Sequence, residues 1–289
     1  MPTKVEKDAV TGRETTGHEW DGIKELNTPL PRWWLYVMYA TIVWAVIWWI
    51  LYPSWPGITG YFGGLIGSNQ RIELEQRMAV PLAGQALFVE RLAAASPADI
   101  SQDPELLSFA LVGGGAAFAD NCAPCHGLGG AGQGYYPSLA DDAWIWGGTL
   151  DEIHATIEYG IRNGRDDARF NVMPAYGVDQ MLDRQQIADV AEYVLSLSER
   201  SEDAAASERG APIFAEQCAA CHGESGEGVI ELGAPALDDQ IWLYGGTKEE
   251  IVQQIHRPRH GVMPAWVDRL DPETIKALAV YVHSLGGGQ

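Results

Sequence analysis

Residues 122–126 read Cys-Ala-Pro-Cys-His, and residues 218–222 read Cys-Ala-Ala-Cys-His. These two stretches hold all four cysteines of a 289-residue chain, which is no disulfide framework. Two thiols three residues apart lie on one helical turn. There they can form thioethers to two vinyl groups on one edge of a porphyrin, with the adjacent histidine held under the iron. The pattern is the attachment signature of c-type haem. It predicts two covalent haem c groups, on Cys122 and Cys125 and on Cys218 and Cys221, with His126 and His222 as proximal iron ligands. Structural zinc would need a fourth ligand that a Cys-Cys-His set lacks. A redox dithiol would want a strand–helix context, and no such pattern surrounds either pair.

Working outward, the two motifs head two copies of one unit. Residues 137–149, PSLADDAWIWGGT, and 235–247, PALDDQIWLYGGT, match at seven of thirteen positions without a gap. Each block is followed by Val-Met-Pro-Ala, at Met173 and Met263. Thr149 with Glu152, and Thr247 with Glu250, fit the capping box that starts a helix. Asp183 with Gln186, and Asp271 before Pro272, mark a terminal helix in each copy. In those helices Ile187, Val190, Ala191 and Val194, and Ile275, Leu278, Ala279 and Val282, line one apolar face. No alternating strand pattern occurs in either copy, so both are expected to be helical.

A haem iron needs a sixth ligand unless it binds substrate. Met173 and Met263 recur in matching contexts and are the expected axial partners. A thioether favours ferrous iron and raises the potential relative to a second histidine. Met181 is the alternative to Met173, while His154, His256 and His260 do not recur at equivalent places and read as surface or structural. Pro137 and Pro235 follow the two histidines by 11 and 13 residues, and the chain there is a candidate carbonyl acceptor for the imidazole N–H. Gly127-x-Gly129-x-x-Gly132 fits a dinucleotide fingerprint in letters only, because it follows a haem motif rather than a strand.

Ahead of the repeats, residues 33–52 read WWLYVMYATIVWAVIWWILY, without charge, Gly or Pro. As a helix, this run spans about 30 Å, the thickness of a bilayer core. Tryptophans at both ends suit the two interfaces. The run is too long, and starts too late, for a signal-peptide core, so a retained anchor is expected. Within 20 residues of the run, Arg13, Lys24 and Arg32 lie on its N-terminal side and Arg71 alone on the other, which puts the N-terminus in the cytoplasm. The formal charge is −20, yet residues 1–71 carry six basic and six acidic side chains and are neutral. The acidity lies entirely beyond residue 71. A nucleic-acid binder would carry a basic face, so that class is excluded.

The repeats resemble class I cytochrome c domains in four features: Cys-x-x-Cys-His, Pro-x-Leu, Met-Pro and a C-terminal helix. That resemblance implies a mainly α fold around one haem per repeat, with His126/Met173 and His222/Met263 as axial pairs. Residues 21–34, DGIKELNTPLPRWW, are similar to the pre-anchor motif of the dihaem subunit III of cbb3-type cytochrome c oxidases. Order, length and haem count agree with that family as well. The expected organisation is a cytoplasmic segment 1–32, a transmembrane helix 33–52, a periplasmic linker 53–108, and cytochrome c domains 109–199 and 205–289. Within the linker, a helix near 70–95 is expected to be interrupted by Pro81. The short charged connection between the repeats predicts that they touch.

The resemblance implies an electron-transfer subunit, not catalytic alone, in a bacterial inner membrane with its haem domains in the periplasm. Its implied partners are a periplasmic cytochrome c donor, a monohaem cytochrome c subunit and the haem–copper subunit that reduces oxygen. Service to another respiratory complex or a dehydrogenase is the alternative. A dihaem peroxidase would need an open iron site, against which the two matching methionines argue, and they disfavour a gas sensor equally.

Overall fold

The computed structural model describes residues 4–288. The chain divides into two compact units, one up to Ala83 and one from Gly84 onward.

The first unit opens with a hairpin of β1 (Thr15–Trp20) and β2 (Ile23–Leu26), antiparallel, with Trp20 opposite Ile23 and Glu19 opposite Lys24. Asp21 and Gly22 form its two-residue turn with φ of 52° and 85°. Two positive φ values make the turn that matches strand twist, and Asp-Gly is a preferred pair for it. Helix α1 (Arg32–Leu51) follows, with none of its side chains buried. It is long and apolar enough to cross a membrane. Trp48 stacks on Tyr52 at 4.2 Å, and Trp49 meets Trp55 edge-on at 5.0 Å, at the C-terminal end of the helix. Helix α2 (Gln70–Ala94) contains Pro81 and runs through it, where the sequence predicted an interruption. A proline removes one N–H and crowds one carbonyl, but long flanks on both sides carry the helix past it.

In the second unit, α3 (Pro97–Gln102) and α4 (Pro104–Asn121) precede the first Cys-x-x-Cys-His, which forms the single turn α5 (Ala123–His126). Helices α6 (Leu150–Tyr159) and α7 (Arg184–Leu197) complete the first repeat. The second repeat has α8 (Ala204–Gln217), the turn α9 (Ala219–His222), α10 (Lys248–His256) and α11 (Pro272–His283). The boundary drawn at residue 108 falls inside α4. The three capping boxes expected from the sequence, at Thr149, Asp183 and Thr247, are formed on both sides, and Ser96 with Asp99 makes a fourth. Asp271 is an N-cap without a side-chain bond.

The terminal helix of each repeat packs on the first helix of the other. Six residues separate α7 from α8, so the two fold back as antiparallel neighbours. Gly210 of α8 lies against the Asp189 carbonyl and Tyr193 of α7, and Tyr193 sits 5.0 Å from Phe214. The equivalent residues meet at the other end of the chain. Gly114 of α4 lies against the Ala277 carbonyl and Tyr281 of α11, and Phe118 sits 5.4 Å from Tyr281. Two cores result. The first joins Phe118, Ile153 and Ile157 to Ile275, Leu278, Ala279 and Val282. The second joins Ile187, Val190, Ala191 and Val194 to Phe214, Ile251 and Ile255. Both faces read from the sequence are buried, but each is buried against the opposite repeat.

Two polar contacts hold this arrangement. Lys276 Nζ on α11 donates to the Leu92, Ala93 and Ala95 carbonyls, satisfying the orphan acceptors at the end of α2. A third core of Leu92, Ile100, Leu106 and Ala110 forms there against Ala277 and Val280. On α7, Glu192 is 2% exposed and bonds Lys248 Nζ at 2.6 Å and Ser201 Oγ at 2.7 Å. Burial opposes its ionisation, but Lys248, Ser201 and the Asp203 N–H outweigh that and hold the carboxyl below its ordinary value.

Two predictions follow from this packing. Gly114→Ala or Gly210→Ala forces a helix pair apart and lowers stability by about 1–3 kcal/mol. Gly113→Ala, where a methyl group meets open space, raises it by about 0.5–1 kcal/mol. Thermal melts of the three variants separate steric contact from helix propensity. Glu192→Gln removes one partner of a buried pair and costs about 3 kcal/mol, the low end because Lys248 keeps water on one side. Since the folded-state pKa is depressed, that contribution is present above the unfolded value and fades as pH falls through the folded one. Denaturation curves of the wild type and Glu192→Gln should therefore converge in acid.

Candidate functional site

Both Cys-x-x-Cys-His turns are built the same way. Cys122 ends α4 and starts α5, its N–H bonded to Phe118 O at 2.8 Å and its carbonyl accepting from Cys125 and His126 at 3.1 and 2.9 Å. Cys218 does likewise between α8 and α9, with Phe214, Cys221 and His222 at 2.8, 3.0 and 3.0 Å. One turn therefore presents two thiols and an imidazole. Gly127 closes the first turn at φ 77°, a left-handed value that a side chain would strain. The chain then wraps under the histidine, with Gly132 N–H donating to His126 O at 2.7 Å. The glycines of the dinucleotide-like pattern thus serve this loop, and Gly127, Gly129 and Gly132 all have positive φ.

The carbonyls expected from the sequence are in place. His126 Nδ1 lies 3.0 Å from Pro137 O, and His222 Nδ1 lies 2.9 Å from Pro235 O. A carbonyl only accepts, so each Nδ1 carries the proton and each Nε2 keeps its lone pair for a metal. Burial pushes both imidazoles below their ordinary pKa, against the opposing effect of the proline carbonyl. Neutral imidazole is the ligating form. None of the four cysteines is in a disulfide. Burial, with the neighbouring thiol, pushes Cys122 and Cys218 up to about 11, so both stay protonated in the chain alone. Low-pKa redox dithiols have the opposite shift.

The methionines sit across the repeat boundary. Met263 packs against the first core, as do Cys122, Ala123, Leu139 and Trp144. Met173 packs against the second core, which contains Cys218 and against which Ala219, Leu237 and Trp242 also pack. The pairing implied by the class I resemblance, His126 with Met173 and His222 with Met263, is therefore not the one the packing produces. The backbone contacts cross in the same sense. Ile161 and Met263 exchange two hydrogen bonds at 3.0 and 2.9 Å, and Asn163 Nδ2 donates to Met263 O at 3.1 Å. Met173 N–H donates to His260 Nε2 at 3.0 Å, and Tyr176 Oη donates to Gln217 O at 2.6 Å. Met181 is half-exposed, outside both cores. His154 lies 3.5 Å from Glu158, and the His256 ring lies against Gly177. His260 was read as structural, and its place against the Met173 backbone had no sequence signal.

The residues fit a haem in one further respect. Among the described residues, three buried polar atoms have no partner: Arg169 Nε, Arg200 Nη2 and Trp242 Nε1. Arg200 lies over the Trp242 ring at 5.2 Å, and Arg169 over Trp146 at 5.6 Å. Unsatisfied buried donors are costly, and a carboxylate-bearing group such as a haem propionate would satisfy them. Arg200→Met in the loaded protein should lower the midpoint potential of the second-core haem alone, because a nearby positive charge favours the reduced form. A redox titration in which both haems shift, or neither does, would contradict this placement.

The chain matches three family models. Residues 12–59 match the N-terminal domain of cytochrome oxidase-cbb3, FixP, residues 112–198 match cytochrome c, and residues 205–282 match cytochrome c oxidase, cbb3-type, subunit III. It is 52% identical to a cbb3-type cytochrome c oxidase subunit CcoP of Azospirillum brasilense, over 98% of this chain and 99% of that one. It is 51% identical to the FixP subunit of Bradyrhizobium diazoefficiens, over 100% of both chains. Identity to the CcoP subunit of Cereibacter sphaeroides is 47%, again over 100% of both.

Proposed function

The chain belongs to the subunit III family of cbb3-type cytochrome c oxidases, and from that premise we propose that it relays electrons from a periplasmic cytochrome c toward the oxygen-reducing haem–copper subunit. The observation that carries this reading is the pair of identical turns, each offering two thiols and an imidazole fixed by a proline carbonyl, in a chain that matches these oxidase subunits end to end. Cys122 with Cys125 and Cys218 with Cys221 would hold two covalent haem c groups, with His126, His222, Met173 and Met263 as the side chains that would ligate the irons. Each haem supplies a one-electron couple when bound.

The residues around the haems keep those couples in service. The proline carbonyls fix the imidazoles in the ligating tautomer. The apolar cores exclude water, and the methionine thioethers favour the ferrous state. A histidine and a methionine for each iron would leave no open position for substrate, which suits transfer. The monohaem subunit is the next acceptor in the relay, and helix α1 anchors the chain beside it. Within 20 residues of the apolar run 33–52, three basic residues precede it and one follows, which supports a cytoplasmic N-terminus and periplasmic haem domains. The −20 charge, all beyond residue 71, would draw a basic donor by long-range attraction.

Purified from native membranes in mild detergent, the chain should arrive with b-type haem, copper and cytochrome c-dependent oxygen uptake. The KM for a basic donor should rise with ionic strength while kcat holds. Arrival with c-type haem alone, or with a dehydrogenase, would contradict the oxidase assignment.

A further inference from the structure

We infer that the N-terminal hairpin is a docking element, whose Trp20 and Ile23 face seats on a basic cytoplasmic loop of a membrane-embedded oxidase subunit beside α1. This rests on the oxidase reading and the cytoplasmic N-terminus proposed above, and deepens them by naming a contact surface.

The hairpin is tied by polar contacts and has no core of its own. Thr15 N–H donates to Glu6 O at 2.8 Å, Glu6 N–H to Thr15 Oγ1 at 3.0 Å, and Asn27 N–H to Glu14 O at 2.7 Å. Yet among the described residues 4–31 only Thr15 and Gly17 are buried. A two-stranded hairpin with no covered apolar face is marginal in water, so this one needs a partner surface. The face to be covered is marked by two side chains. Trp20 and Ile23 stand directly opposite each other and so share a face, where they are 65% and 73% exposed. Trp20 is held in place. Its Nε1 donates to Glu25 Oε1 at 3.3 Å, and Thr16 Oγ1 donates to Glu25 Oε2 at 3.1 Å. A fixed aromatic ring with its polar edge already satisfied is an anchor of the kind that protein interfaces use.

Position and charge identify the occupant. Only Asn27–Pro31 separate β2 from α1, a reach of about 20 Å at most. With α1 in the bilayer, the hairpin stays at the membrane surface, beside whatever α1 packs against. Its tip carries Glu19, Asp21 and Glu25 against one cation, Lys24. Lys24 alternates with Ile23 and so points to the opposite face, where its Nζ bonds Glu6 at 2.6 Å. The apolar patch is thus rimmed by carboxylates. The cytoplasmic leaflet is negatively charged and repels such a patch. Cytoplasmic loops of membrane proteins carry excess Lys and Arg and complement it. An interfacial indole would also turn its N–H to the headgroups, whereas Trp20 has given its own to Glu25. A protein loop fits this face, and lipid does not.

The test uses the full chain, haem-loaded, in its native membrane. Haem attachment consumes the four native thiols, so Ile23→Cys supplies the single reactive one. A benzophenone maleimide is placed on it and photolysed. The expected product is an adduct to another integral subunit of the oxidase, mapped by mass spectrometry to a loop bearing Lys or Arg. Adding Trp20→Ala should abolish it. Adding Asp21→Asn should cut its yield about two- to fivefold. Asparagine tolerates the φ of 52° at this turn position, so the charge goes and the hairpin stays. An adduct to lipid alone, to a second copy of this chain or to nothing would overturn the docking, as would a yield that Asp21→Asn leaves unchanged. Val10→Cys, at a site 93% exposed, reports the topology separately. A membrane-impermeant maleimide must label it in inverted vesicles only. Labelling in right-side-out vesicles would overturn the topology and the docking together, and correct labelling without the adduct would overturn the docking alone. Co-purification with b-type haem and copper reports on the oxidase reading independently of both.

Discussion

The six residues between α7 and α8 are the constraint on which the second unit depends. So short a connection leaves two helices little choice but to lie antiparallel against each other. Once α7 is committed to α8, it is not available to its own repeat's first helix. The face of α4 that carries Gly114 and Phe118 then needs another partner, and α11 supplies it with Ala277 and Tyr281. The crossing at one end therefore requires the crossing at the other, and the methionines travel with the helices they precede.

The same constraint organises the haem sites. Each Cys-x-x-Cys-His turn hangs from the end of a helix whose packing partner comes from the opposite repeat. The proximal side is nevertheless local, since the proline carbonyl that orients each imidazole lies 11 or 13 residues further along the same repeat. Local sequence thus builds each Cys-x-x-Cys-His turn and orients its imidazole, and long-range packing brings a methionine segment of the other repeat to the same core. The buried, unpartnered donors of Arg169, Arg200 and Trp242 mark places where the protein alone is incomplete.

Much of this was legible in the sequence. The anchor helix, the capping boxes, both apolar helix faces and the two proline carbonyls followed from spacing and side-chain chemistry. The hairpin at Thr15–Leu26 was missed although Asp21-Gly22 is a strong turn signal, because short flanking strands rich in polar residues gave no clear alternation. The crossing could not be read, for a physical reason. Both repeats carry the same glycine, phenylalanine and tyrosine at the helix contact, so Phe118 with Tyr281 and Phe214 with Tyr193 look as favourable as the uncrossed pairs. Only the length of the connection distinguishes them, and it acts through the geometry of the whole unit rather than through any residue type.

The central claim is that each core is assembled from both repeats, and a single cut between them tests it. A specific protease site placed between Leu197 and Ala204 allows the holo-protein to be nicked while still in its membrane. The account predicts that the C-terminal half, which among the described residues has no helix long and apolar enough to cross a membrane, stays bound to the anchored half through salt washing. It should leave only when the fold is denatured. Release of that half into the soluble fraction, with its haem spectrum intact, would show two independent cytochrome domains and contradict the crossed assembly.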